Sequence, residues 1–113
     1  MKIVNATKNS ILAEAATVAL SIGARTRGLL GKRELRPGQA LVIKPCNSIH
    51  TFFMRFPIDA VFVDPGNKVV KTISAMRPFR LSGIYVKASF TIELPAGAIA
   101  KSSTQIGDTL AFQ

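Results

Sequence analysis

The sequence has no tryptophan, one tyrosine, one cysteine and one histidine. A lone Cys46 cannot form an intrachain disulfide, and one cysteine with one histidine cannot close a structural zinc site. No metal and no cofactor is expected. Acidic residues are scarce too: six Asp and Glu stand against fifteen Lys and Arg in 113 residues, a net charge of +9. No run reaches the roughly 18 apolar residues of a spanning helix. Near the N-terminus Glu14 interrupts the apolar residues that follow Ile11, where a secretory signal needs a continuous apolar stretch. The expectation is a cytoplasmic protein with no membrane partner. Also missing are a GxSxG motif, a Gly-rich phosphate loop and a paired acidic site for glycoside chemistry.

What is present is a hydrophobic fraction of 48% in a chain long enough for one core. The expectation is a single domain over residues 1–113. Periodicity speaks mainly for strands. Lys2–Ala6 reads as a short strand, with Ile11–Leu20 pairing back onto it. Ser21 suits the N-cap of a short helix over Ile22–Leu30 that Gly31 ends. Ala40–Lys44 is a short apolar strand. Ile49–Phe56 carries apolar residues on both parities, which predicts a strand buried on both faces. Ala60–Val63 and Lys68–Ala75 flank Asp64-Pro65-Gly66-Asn67, where Pro then Gly predict a type II turn. Arg77–Gly83 reads as a loop around Pro78. Ala88–Leu94 alternates, with Ala88, Phe90, Ile92 and Leu94 inward and Ser89, Thr91 and Glu93 outward. Ala98–Ser102 reads as one helical turn, and Thr109–Phe112 as a last strand. These pieces predict a mainly β fold, a compact β-sandwich or small barrel with one short helix. Its core takes Phe52, Met54, Val61, Val63, Val69, Phe90, Ile92 and Leu94.

The densest polar constellation is Cys46 to Asp59, set in an apolar stretch where a polar group must be paired or used. Cys46 and His50 form a nucleophile and base only if the chain turns back between them, since four residues of straight strand span roughly 13 Å. Arg55 and Asp59 flank the bend at Pro57, so they read either as a structural ion pair or as an Arg held ready for an anionic ligand. Arg77 and Arg80 reach the same site from the Pro78 loop. A second basic group, Arg25, Arg27, Lys32, Arg33 and Arg36, reads as a solvated surface or as a contact for nucleic acid or an acidic partner. Gly28-Leu29-Leu30-Gly31 spells a GxxG loop, but its apolar centre suits phosphates poorly.

The run from Pro45 to Asp64, with Asn47-Ser48-Ile49-His50-Thr51-Phe52-Phe53-Met54-Arg55-Phe56-Pro57-Ile58-Asp59 at its heart, resembles the small prokaryotic family called domain of unknown function 192. So do Arg27-Gly28-Leu29-Leu30-Gly31-Lys32, Ile92-Glu93-Leu94-Pro95-Ala96-Gly97 and Ile106-Gly107-Asp108-Thr109-Leu110, in the family's order. The resemblance implies a compact, mostly β domain with one helix, and no particular reaction. Carried over residue by residue, its pattern picks out Met54, Pro57, Asp59, Glu93, Pro95, Gly97, Gly107 and Asp108. Taken together, the residues point to a ligand-binding module with a polar cleft around His50, Arg55 and Asp59, with Cys46, Arg77 and Arg80 nearby. The alternatives are an enzyme that uses Cys46 or His50, and a nucleic-acid or acidic-partner binder that uses residues 25–36. The oligomeric state is not predicted.

Overall fold

The structure, a computed structural model, describes residues 1–19, 35–52 and 54–113. Among the described residues, eight strands form two sheets. Strands β1 (Ile3–Asn5), β2 (Ser10–Ala13) and β8 (Leu110–Phe112) make an antiparallel sheet in the order β2-β1-β8. Strands β3 (Ala15–Ala19), β4 (Gln39–Ile43), β5 (Ile58–Val63), β6 (Val69–Met76) and β7 (Phe90–Pro95) make the larger sheet in the order β3-β4-β7-β5-β6. Among the described strands only the β3–β4 pair is parallel. A helix of five residues, α1 (Ala98–Ser102), follows β7. The fold is mainly β and sandwich-like, and neither sheet closes into a barrel. The helix expected over Ile22–Leu30 lies outside the described residues.

The main core lies between the sheets. Ile3, Leu12, Ala13 and Leu110 of the smaller sheet meet Val42, Val61, Val63, Ile92 and Leu94 of the larger one. A second cluster, with Ile43, Ile58, Ala60 and Phe62, covers the opposite face of the larger sheet together with Cys46, Ile49, Met54 and Met76. Every residue of β5 is buried, as expected of a strand with neighbours on both edges and side chains packed on both faces.

The local expectations meet four corrections. Ile11–Leu20 is not one strand. It breaks at Glu14, where the N–H groups of Glu14 and Ala15 both donate to the Gly38 carbonyl at 2.8 Å. The chain thereby passes from β2 in one sheet to β3 in the other. The β5–β6 hairpin joins antiparallel neighbours as expected, but its positive φ falls on Asn67 (65°) and not on Gly66. The Asp64 side chain decides this, because its Oδ1 accepts from the N–H groups of both Gly66 and Lys68 at 2.9 Å.

The described residues of Ile49–Phe56 do not form a strand, and among them only His50 makes a bridge, to Leu81. Thr51 gathers the chain instead. Its N–H donates to the Arg80 carbonyl, its carbonyl accepts from Phe79 and Met54, and its hydroxyl donates to the Arg77 carbonyl while accepting from the Arg80 N–H. Phe52 is consequently half-buried while Met54 stays in the core. Finally, Thr91 and Glu93 do not face solvent. β7 sits in the middle of its sheet, and both residues are buried.

Phe90 packs edge-on against Phe112 at 5.6 Å between ring centroids, so it joins the two sheets. Phe90→Ala should cost roughly 3–5 kcal/mol. A thermal or urea melt reads this directly, and an unchanged midpoint would contradict the packing.

Candidate functional site

Asp59 is the residue of the expected site that the fold uses most. It is fully buried on β5, and both its oxygens accept from backbone. Oδ1 takes the Ala75 N–H at 2.8 Å; Oδ2 takes those of Gly97 at 3.1 Å and Ile99 at 2.9 Å. The register explains the first contact. β5 and β6 slip between Ile58 and Ala60, opposite a bulge in which Ala75 takes a φ of 51°. That bulge turns an N–H out of the ladder toward the carboxylate. Gly97, with φ 102°, precedes α1, and Asp59 occupies the acceptor position that a capping side chain would otherwise fill.

The remaining expected site residues lie elsewhere. Arg55 is exposed and makes no ion pair with Asp59. His50 is exposed, stacks on Phe52 at 5.2 Å between centroids, and its Nδ1 accepts from the Phe52 N–H at 3.2 Å. Cys46 is buried, and its Sγ donates to the Ser48 carbonyl at 3.0 Å. Thiol and imidazole are thus each engaged locally, and no nucleophile–base hydrogen bond joins them. His50, Arg77 and Arg80 do come together, along a tip made of residues 47–52 and 77–87. There Ser82 and Ile49 exchange hydrogen bonds, and the Tyr85 N–H donates to the Asn47 carbonyl. Of the basic segment, Arg25, Arg27, Lys32 and Arg33 lie outside the described residues, while Arg36 is described and exposed. Among the described residues no group of three or more His, Cys, Asp or Glu is placed to hold a metal ion.

Among the described residues a concavity lies on the other side of Asp59. A groove of about 330 Å³ is lined by Ile11, Leu12, Ala13 and Glu14, by the Pro37–Gly38 turn, and by Pro95, Ala96, Gly97, Ala98 and Lys101. Its walls are mostly apolar, with one carboxylate and one ammonium among them. That volume lies at the lower end of small-molecule sites. Asp59 stands behind the wall, since it holds the Gly97 and Ile99 backbone in place.

Two further acids were not separable from surface residues by spacing alone. Glu93 projects from β7 into the second apolar cluster, beside Leu41 of β4 and Ala60 of β5. It has no hydrogen-bond partner among the described residues. Burial pushes its carboxyl up to about 7. Asp108 shows the contrary case. Burial raises it, but hydrogen bonds from Lys8 Nζ (2.8 Å), Asn5 Nδ2 (2.9 Å) and the Gln105 N–H (2.9 Å), with the Lys8 charge, hold it below the usual carboxylate range. That network ties β1 to the loop before β8. The signal for both acids was the family pattern, which picked out Glu93 and Asp108.

The fold and groove define a small two-sheet β protein with a concave, largely apolar groove among its described residues. The chain belongs to the domain of unknown function 192 family, described as an uncharacterised ACR, whose model matches residues 3–112. It is 33% identical to a UPF0127 protein of Pyrococcus horikoshii over 96% of both chains. A UPF0127 protein of Thermococcus sibiricus is 28% identical over 98% of this chain and 74% of its own. A crystal structure of a protein of unknown function from Novosphingobium aromaticivorans superposes with a TM-score of 0.86. It covers 99% of this chain and 84% of its own at 16% identity, a likeness of fold.

Glu93 makes a pH prediction. An acid whose folded pKa is raised binds its proton more tightly in the native state. Stability therefore falls as pH rises from the ordinary value of 4.5 to about 7 and is level above that. The loss across that window should be about 3 kcal/mol. Glu93→Gln should flatten the profile and be more stable than wild type at alkaline pH. Urea melts across the window test this, and a Glu93→Gln profile parallel to wild type would refute it.

Proposed function

We propose that the protein is a binding module for a small molecule, and that its site is the groove between β2, the Pro37–Gly38 turn and the start of α1. The reading keeps the ligand-binding class expected from the sequence but moves the site. His50 and Arg55 do not line the groove, and Asp59 serves it from behind. The supporting observation is that a fully buried carboxylate is spent on the Gly97 and Ile99 N–H groups of the groove wall. A wall fixed in this way is preorganised, and preorganisation lowers the entropy cost of binding. The lining favours a compact ligand with an apolar body and charged ends, for which Glu14 and Lys101 supply complementary groups.

The test is a screen of small amphipathic zwitterions and carboxylates followed by backbone amide shifts. Shifts should cluster at residues 11–14 and 96–101. Lys101 is exposed in the last turn of α1, so Lys101→Glu should leave the melt unchanged. It should weaken a carboxylate ligand roughly fivefold, the scale of a lost exposed ion pair. Asp59→Asn should cost about 1–3 kcal/mol through the orphaned donors and move the Gly97 and Ile99 amides even without ligand. Shifts confined to the 47–52 and 77–87 tip would overturn the placement.

A further inference from the structure

The tip formed by residues 77–87 has a composition that the groove does not use. Leu81 is 71% exposed, Ile84 71% and Val86 83%. Soluble surfaces tolerate single exposed aliphatics, but three within six residues form a patch. Their exposure is not that of a loose loop. Thr51, Ile49 and Asn47 hold the backbone of this segment through the hydrogen bonds to Phe79, Arg80, Ser82 and Tyr85, so the aliphatic side chains are presented outward by a braced backbone.

Arg77, Arg80 and Lys87 flank the same residues, and all three are exposed. None makes an ion pair among the described residues. No acidic residue occurs from 65 to 92. The folding of the chain sharpens this bias. Between residues 35 and 107 the acids are Asp59, Asp64 and Glu93, and Asp59 and Glu93 are buried. The tip therefore offers aliphatic side chains ringed by cations, with no carboxylate on its own segment.

We propose that this tip docks on an anionic lipid bilayer, with Leu81, Ile84 and Val86 entering the interface and Arg77, Arg80 and Lys87 meeting lipid phosphates. Such docking needs no spanning segment, and no helix among the described residues is long and apolar enough to be one. It revises the expectation, drawn from hydropathy alone, of no membrane partner. The apolar residues are what favour a bilayer over nucleic acid. A single strand of nucleic acid is gripped by stacking on aromatic rings. The segment carries one exposed aromatic ring, Phe79 at 55%, tilted against Phe52, whereas its most exposed apolar residues, Leu81, Ile84 and Val86, are aliphatic and suit acyl chains. Outward-standing side chains also fit a fluid surface that needs no matching pockets. Juxtamembrane cations add attraction to anionic leaflets, and salt screens it.

The experiment is co-sedimentation of the chain with vesicles of phosphatidylcholine alone and of equal parts phosphatidylcholine and phosphatidylglycerol. The protein should pellet with the anionic vesicles, stay in solution with the neutral ones, and release as salt is raised. Arg77→Gln, Arg80→Gln and Lys87→Gln together should weaken binding roughly a hundredfold, from about fivefold per cation. Leu81→Ser, Ile84→Ser and Val86→Ser together should weaken it at least tenfold, roughly, with a melt close to wild type. Because the chain has no tryptophan, Ile84→Trp supplies a single fluorophore that should shift to the blue on anionic vesicles. Equal pelleting with both vesicles, or serine variants that bind as wild type, would overturn the proposal. So would a tryptophan whose emission stays that of water, or single-stranded DNA bound as tightly as vesicles by wild type and serine variants alike.

Discussion

The Asp59 carboxylate is the point on which two segments far apart in sequence depend. A carboxyl near the start of a fully buried strand is costly unless its lone pairs are filled. Here they are filled by three backbone N–H groups, of Ala75, Gly97 and Ile99, and no cation is brought in. Two of those donors belong to residues with positive φ, Ala75 at 51° and Gly97 at 102°. A left-handed alanine costs energy that its surroundings must offset, and the carboxylate hydrogen bond is the visible offset. The relation runs both ways. The bulge and the helix start satisfy the acid, and the acid fixes the bulge and the helix start. The groove wall from Gly97 onward inherits its position from that exchange.

Glu93 shows what the same sheet does without such donors. In the register of β5 and β7, Asp59 sits opposite Leu94 and Glu93 opposite Ala60, so the two acids leave the sheet on opposite faces. The face of Asp59 carries the bulge and α1, both sources of free N–H groups. The face of Glu93 carries Ile43, Ile58, Phe62 and Met76, which donate nothing. One acid accepts three backbone N–H hydrogen bonds, while burial pushes the carboxyl of the other up to about 7. Burying both removes two acids from the surface, while the Asp108–Lys8 pair cancels one charge of each sign. The exposed face is thus more basic than the composition suggests, and the tip around Arg77, Arg80 and Lys87 is where this tells most.

The strands and turns were largely legible where one interaction dominates. Asp64-Pro65-Gly66-Asn67 marked a hairpin because turn chemistry is local, although the Asx bonds of Asp64 moved the positive φ one residue along. The alternation of Phe90, Ile92 and Leu94 marked a strand and its core face. It failed for Thr91 and Glu93, because period two shows only that the two faces differ. Whether the polar face is covered depends on β4 and β5, which flank β7 but are remote in sequence. Ile49–Phe56 misled for a related reason. Its hydrophobic residues promised a strand, but Thr51 bonds both backbone and hydroxyl into the 77–80 loop, and tertiary context overrode propensity. Asp59 was read from the sequence as one half of a pair with Arg55. Its partners were sought among arginines, because a sequence displays side chains and hides backbone N–H groups.

That last point separates scaffold from site in this molecule. Asp59, Thr51 and Asn5 are fully buried polar residues, and each spends its side chain on groups from a second segment. Truncating any of them strands buried donors or acceptors, so their effects should appear first in stability. Lys101 at the groove follows the helix start that Asp59 fixes, and Leu81 at the tip follows the Arg80 backbone that Thr51 fixes, and both are exposed. Recognition needs groups free to exchange water for a ligand, presented on a backbone that does not move. The buried polar residues supply the second condition, and the exposed ones the first. The buried polar residues between Cys46 and Asp59 are therefore scaffold, and the two surfaces proposed for binding lie where their hydrogen bonds end.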